Sequence, residues 1–139
     1  MSDPVRGSCF CGTVNFEFDL PTSFCAHCHC TMCQRAHGAG YVTWIGVPKE
    51  RFRVVAGGAT LTPFKSSDHG TRSFCANCGS SLFCESTHHP EQIDIVVANL
   101  HSEIDREPES HCYYDSKAGW IHVSDELPKL GGSTGVEPL

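Results

Sequence analysis

Seven of the ten cysteines in this 139-residue chain fall at spacings that suit metal ligation. They are Cys9 and Cys11 (C-x-C), Cys28, Cys30 and Cys33 (C-x-C-x-x-C), and Cys75 and Cys78 (C-x-x-C). Residues 1–12 show no apolar stretch of the leader kind, and Cys9 comes too early to follow one. Closely spaced cysteines in such a context read as zinc ligands rather than as disulfides. The grouping constrains the fold more than the count does. Two chelating pairs can surround one ion and tie residue 9 to residue 78 across a long loop, whose closure most restricts the unfolded chain. A cluster of three leaves one coordination position free, and a free position is where chemistry takes place.

Length sets the expectation of one domain over residues 1–139. The hydrophobic fraction is 40%, modest for a globular domain, so metal cross-links would help to hold the fold. Formal net charge is −6, and no basic cluster exceeds two adjacent residues. Nucleic-acid binding needs concentrated Lys and Arg to displace counterions, so DNA and RNA are not expected partners. No apolar run approaches a membrane span. A cytoplasmic, reduced protein with small-molecule or peptide partners is the expectation.

Hydrophobic patterning is that of short strands separated by turns. Residues 13–18 alternate, with Val14, Phe16 and Phe18 on one face. Residues 41–47 are rich in β-formers, and Pro48-Lys49-Glu50 reads as a turn. Residues 51–56 and 59–64 flank Gly57-Gly58, a two-residue hairpin signal. Residues 71–74, 81–84 and 93–98 read as further strands. Helix is expected only over residues 31–36, stopped by Gly38. Residues 127–139 contain Pro128, Gly131, Gly132, Gly135 and Pro138 and read as an irregular tail. The fold class is therefore mainly β, with several short coiled sheets tied by zinc and one short helix.

Cys9, Cys11, Cys75 and Cys78 make a closed set of four thiolates at about 2.3 Å from one ion. Gly12 and Gly79 follow the pairs, where glycine allows a tight turn and lets backbone N–H groups face the sulfurs. The bland alternative is buried free cysteines. Cys28, Cys30 and Cys33 fit a second ion whose fourth position could take water, a thiol or a carbonyl oxygen. Zinc there would ionise a thiol or activate water at neutral pH. A rival grouping joins Cys25 and Cys28 with Cys30 and Cys33 in a second closed site. His27 and His29 are read as outer residues or solvent-facing rather than as ligands.

These stretches resemble the glutathione-dependent formaldehyde-activating enzyme family, which includes centromere protein V. The matching motifs are Gly7-Ser8-Cys9-Phe10-Cys11-Gly12, Cys28-His29-Cys30-Thr31-Met32-Cys33-Gln34-Arg35, and Phe74-Cys75-Ala76-Asn77-Cys78-Gly79-Ser80-Ser81-Leu82-Phe83. A weaker match runs through residues 111–120. The resemblance implies antiparallel sheets of the β-tent type. It also implies two zinc ions per chain: a structural one on Cys9, Cys11, Cys75 and Cys78, and a catalytic one on Cys28, Cys30 and Cys33. The implied activity is carbon–sulfur lyase chemistry on glutathione and formaldehyde, forming S-hydroxymethylglutathione. Cys25 is an addition to the family pattern, and Gln34 stands where a basic residue is usual.

Arg35 is a candidate clamp for a carboxylate of a glutathione-like thiol, against the plain reading of an exposed helix arginine. His111 and His122 are candidate pocket-lining residues. Cys84 and Cys112 read as small apolar residues in strands, His88-His89-Pro90 as a solvated loop, and Trp44 and Trp120 as core or pocket wall. The functional alternative to an enzyme is a zinc-stapled binding module for a thiol, peptide or protein, and a closed fourth position at the second site would favour it.

Overall fold

A computed structural model describes residues 3–139. The strands in chain order are β1 (Val5–Ser8), β2 (Asn15–Phe18), β3 (Phe24–Cys28), β4 (Val42–Pro48), β5 (Phe52–Ala56), β6 (Leu61–Lys65), β7 (Gly70–Cys75), β8 (Ser81–Ser86), β9 (Gln92–Val96), β10 (His111–Cys112), β11 (Leu130–Gly131) and β12 (Glu137–Pro138). Among the described residues there is one α-helix, α1 (Thr31–His37), and three 3₁₀ turns. The mainly-β class and the single short helix agree with the hydrophobic pattern. Among the described residues no helix is long and apolar enough to cross a membrane.

Contacts divide the chain into two compact units. The first contains the residues up to Ser23 together with Ile45–Asp105, and the second contains Phe24–Trp44 and Arg106–Leu139.

In the first unit β2 pairs antiparallel with β1 on one side and β5 on the other. The alternation of residues 13–18 explains this. Val14, Phe16 and Phe18 are buried, while Glu17 on the opposite face takes Arg53 at 2.8 Å. β6, β7, β8 and β9 form a second antiparallel ladder. Phe16 and Phe52 each meet Phe83 edge-on with ring centroids 4.9 Å apart. Burying a side chain of this size contributes about 1.5–3 kcal/mol, so this cluster and Val14, Phe18, Ile45, Val47, Leu82 and Ile95 form the core of the unit.

Gly57-Gly58 does not close a hairpin. β5 pairs with β2 and β6 pairs with β7, so the two glycines form a corner between sheets. Gly57 has φ +77°, and a Cβ there would lie 2.1 Å from the carbonyl oxygen of Thr13. The glycine serves a close backbone crossing, a demand that the dipeptide itself does not distinguish from a two-residue turn. Likewise Pro48-Lys49-Glu50 opens a 3₁₀ turn, Lys49–Arg51, rather than a simple reversal.

In the second unit β3 and β10 run parallel, with His111 opposite His27 and Cys112 opposite Cys28. Helix α1 starts immediately after Cys30, whose sulfur accepts the N–H of Cys33, and stops at Gly38 in the left-handed conformation (φ 60°). That is the expected C-terminal stop. Residues 127–139, expected to be irregular, carry the antiparallel pair β11–β12. They also hold β10 and its extension: Pro128 O accepts the N–H of His111 and Gly135 O accepts the N–H of Tyr113, both at 2.9 Å. The glycines that suggest disorder in the sequence are what let the tail fold back. Gly132 and Gly135 have φ +76° and +79°, and Gly135 lies so close to the Tyr113 ring that a Cβ would sit 2.1 Å from it.

Candidate metal centres

The first unit gathers Cys9, Cys11, Cys75 and Cys78, with their sulfurs all within 4.8 Å of one another. The Cys9–Cys11 and Cys11–Cys75 sulfur separations are 3.6 and 3.8 Å. Four thiolates around zinc at about 2.3 Å require roughly 3.8 Å between sulfurs, so the set fits a tetrahedral ion. Each pair sits on a matched tight turn. Gly12 and Gly79 have φ +81° and +80°, and their N–H groups bond the carbonyls of Cys9 and Cys75 at 3.1 and 2.7 Å. These glycine N–H groups therefore do not reach the sulfurs. Donors to sulfur include the N–H of Val14, 3.2 Å from Cys9, and the side-chain amide of Asn77, 3.2 Å from Cys11. Thr13 and Asn77 hold Cys11 down to about 5. Ser80 holds Cys78 down to about 7. Burial pushes Cys75 up to about 11. Polar neighbours thus favour the thiolate at the exposed corner of the cluster, while the buried corner needs a cation to ionise.

The second unit gathers Cys28, Cys30 and Cys33 in the same way, with Cys28 and Cys33 sulfurs 3.6 Å apart. Hydrogen bonding to the sulfurs of Cys30 and Cys33, with burial, pushes the Cys28 thiol far above its ordinary range. Three thiols packed so closely cannot ionise together without a cation, so the donor set fits one. Strand geometry sets Cys25 apart. It lies three positions before Cys28 in β3, hence on the opposite face, and it is buried at 2% exposure. The group of sulfurs that could hold one ion is the trio.

Gln34, which the sequence marks only as a departure from the family pattern, braces this loop, and Tyr113, which the sequence does not single out, lies one residue past the Cys112–Cys28 pair. Gln34 donates to the carbonyls of His29 (2.7 Å) and Ser116 (3.0 Å), pinning α1 to the segment after β10. Its amide nitrogen carries two N–H groups, one for each carbonyl. Tyr113 follows β10 with φ 51°, an uncommon conformation for a side chain of its size. Burial raises its phenol pKa, and the charges of Cys28, Cys30 and Cys33 add to the effect. The phenol therefore keeps its proton at neutral pH. The one signal in the sequence would have been the two aromatics directly after His111-Cys112, which are opposite the cysteine strand only once the parallel register is known.

His29 is not solvent-facing and His27 is half-buried. His29 and His111 are 0% and 1% exposed. His29 Nε2 and His111 Nδ1 are 2.8 Å apart, and His111 Nε2 is 2.9–3.0 Å from the Asp125 carboxylate. Burial pushes His29 down to about 4 and also lowers His27, so both are neutral at pH 7. Arg35 is exposed in the last turn of α1, and His122 is exposed as well. Trp44 is buried in the core, whereas Trp120 is 68% exposed. His88 and His89 are exposed, as expected of a solvated loop.

With this geometry in hand, the comparisons with known proteins define the class. Residues 4–116 match the family model for glutathione-dependent formaldehyde-activating enzymes, and the chain belongs to that family. A solved structure, that of a Rhodobacter sphaeroides protein from a structural genomics programme, is similar in fold. It is 29% identical, covers 73% of this chain and 92% of its own, and superposes with a TM-score of 0.61. No curated protein matches the chain significantly.

Proposed function

We propose that this protein joins a small thiol such as glutathione to an aldehyde such as formaldehyde, a carbon–sulfur lyase-type reaction giving S-hydroxymethylglutathione. Two zinc ions per chain would serve it: a structural one on Cys9, Cys11, Cys75 and Cys78, and a catalytic one on Cys28, Cys30 and Cys33. The observation that carries the reading is the contrast in donor number, four sulfurs in one cluster and three in the other, in a chain of this family. When bound by the three cysteines, zinc supplies the charge that ionises a thiol or polarises a carbonyl at neutral pH.

The remaining steps belong to the protein's own groups. A carbon–sulfur bond forms as the carbonyl π pair moves to oxygen, and that oxygen takes up the proton the thiol gives up. The Tyr113 phenol, one residue beyond the Cys112–Cys28 pair and kept protonated by burial, is the group we assign as donor to the oxygen as its charge develops. Gln34 holds the cysteine loop rigid, so the reacting atoms are positioned rather than pulled together. Arg35, exposed on α1, offers a planar cation for a glutathione carboxylate. A reduced, cytoplasmic compartment suits a site that depends on free thiols.

Calorimetry with glutathione in buffers of different ionisation enthalpy tests the reading. Thiol binding should release about one proton, and Arg35→Ala should weaken it by about 1–3 kcal/mol. Equal affinity and equal proton release with S-methylglutathione would overturn the thiol chemistry and leave a zinc-stapled binding module.

A further inference from the structure

The run Cys28-His29-Cys30 alternates two ligand chemistries along an extended segment. In extended backbone, successive side chains point to opposite faces. Cys28 and Cys30 therefore serve one face, and His27 and His29 serve the other. The parallel register then brings a third imidazole to the histidine face, because His111 lies directly opposite His27. Their ring centroids are 4.9 Å apart. Asp125 completes the group, with its carboxylate 2.9 Å from His111 Nε2 and its Oδ1 fixed by the N–H of Leu127 at 3.0 Å.

We propose that His27, His111 and Asp125 form a further metal site, independent of both cysteine clusters, for a divalent first-row transition ion. One donor atom from each of the three lies within 4.8 Å of the others. Two imidazoles and one carboxylate with positions left open are the donor set that takes zinc, iron(II) or cobalt(II) in preference to calcium or magnesium. The surroundings are those of a ligating set. His27 Nδ1 is 2.8 Å from the Thr43 hydroxyl, which leaves Nε2 available. His111 Nδ1 is 2.8 Å from His29 Nε2, which leaves Nε2 for the ion beside Asp125. Such outer partners fix the tautomer and ring plane of a ligating histidine.

His29 supplies a second, independent observation. It is fully buried, and its Nδ1 has no hydrogen-bond partner. Leaving a buried polar atom unpaired is a cost that a purely structural residue rarely carries. Here the ring is held behind His111, where its other nitrogen orients the ligand. Tyr41 and Tyr114 flank it, with ring centroids 5.0 and 5.4 Å away.

The inference does not depend on the proposed reaction, and its test reads metal rather than turnover. The full chain is titrated with Co²⁺ under reducing conditions and followed by absorption and by metal analysis after desalting. The cysteine clusters announce themselves by intense sulfur-to-cobalt charge transfer, whereas a nitrogen–oxygen site gives only weak ligand-field bands. We expect one equivalent of Co²⁺ to bind after the charge-transfer bands have saturated. Asp125→Asn, which keeps the shape of a half-exposed side chain, should weaken that last equivalent at least tenfold and leave the charge-transfer bands unchanged. His111→Ala should abolish it, and if that buried substitution disturbs folding, His27→Gln gives the same reading. Saturation of the wild-type protein when the charge-transfer bands saturate, or an unchanged last equivalent in Asp125→Asn, would overturn the site. The three residues would then form a hydrogen-bonded chain only.

Discussion

The two cysteine clusters are built from similar motifs and do opposite things to the chain. In the first unit the ligands come from two segments more than sixty residues apart, Cys9 and Cys11 from one and Cys75 and Cys78 from the other. Each pair rides on its own left-handed glycine turn. In the second unit all three sulfurs come from a six-residue stretch that a strand end and a helix start already position. A metal in the first cluster closes a long loop and so adds to folding, whereas one in the second decorates a loop that Gln34 and the β3–β10 ladder hold anyway. Ligand number and loop length vary together: the cluster that must staple is closed, and the cluster that need not staple can leave a position free.

The largest expected effect comes from breaking the staple. Cys78→Ser should leave aggregated or protease-sensitive protein, since structural zinc contributes on the order of 10 kcal/mol to folding. A soluble variant melting cooperatively at the wild-type midpoint would erase the contrast. Next is Gly57→Ala, in the same unit. A left-handed φ and a Cβ 2.1 Å from a backbone oxygen leave no side chain to move aside, so about 1–3 kcal/mol or more should be lost by urea denaturation. Gly135→Ala meets an aromatic ring at the same distance, and because the Tyr113 ring can shift, the loss should be smaller.

Cys33→Ser sharpens the comparison from the other side. Metal content should fall by one ion per chain, while far-UV circular dichroism and the melting midpoint stay close to wild type. Collapse like that of Cys78→Ser would make both clusters staples. The smallest effect belongs to Cys25→Ala: unchanged metal content and about 1 kcal/mol of stability, the cost of trimming a small buried side chain. Loss of an ion would bring Cys25 back as a ligand.

What could be read from the sequence divides along the same line. Val14, Phe16 and Phe18, the helix between Cys30 and Gly38, the cysteine trio and each of the two cysteine pairs depend on neighbours in sequence, where spacing and periodicity speak directly. The histidine face does not. Nothing near His27 says that His111 pairs with it, because a parallel register over two residues leaves no pattern. Asp125 lies in a stretch without periodicity, and its role depends on where Leu127 turns the chain. Gly57 and Gly135 were legible as glycines but not as close contacts, since the partners they approach, Thr13 and Tyr113, are remote in sequence.

The two-sided segment around Cys28 also limits how this family member can change. Substitution can tune either face separately, because a replaced histidine leaves the sulfurs where they are. Insertion or deletion of a single residue between Phe24 and Cys30 cannot be so contained, since it rotates everything beyond it to the other face. Imidazoles would arrive where thiols are needed and thiols where imidazoles are needed, and both centres would fail in one event. Length variation in this chain is therefore expected in its exposed loops, and the spacing from β3 into α1 is expected to stay constant.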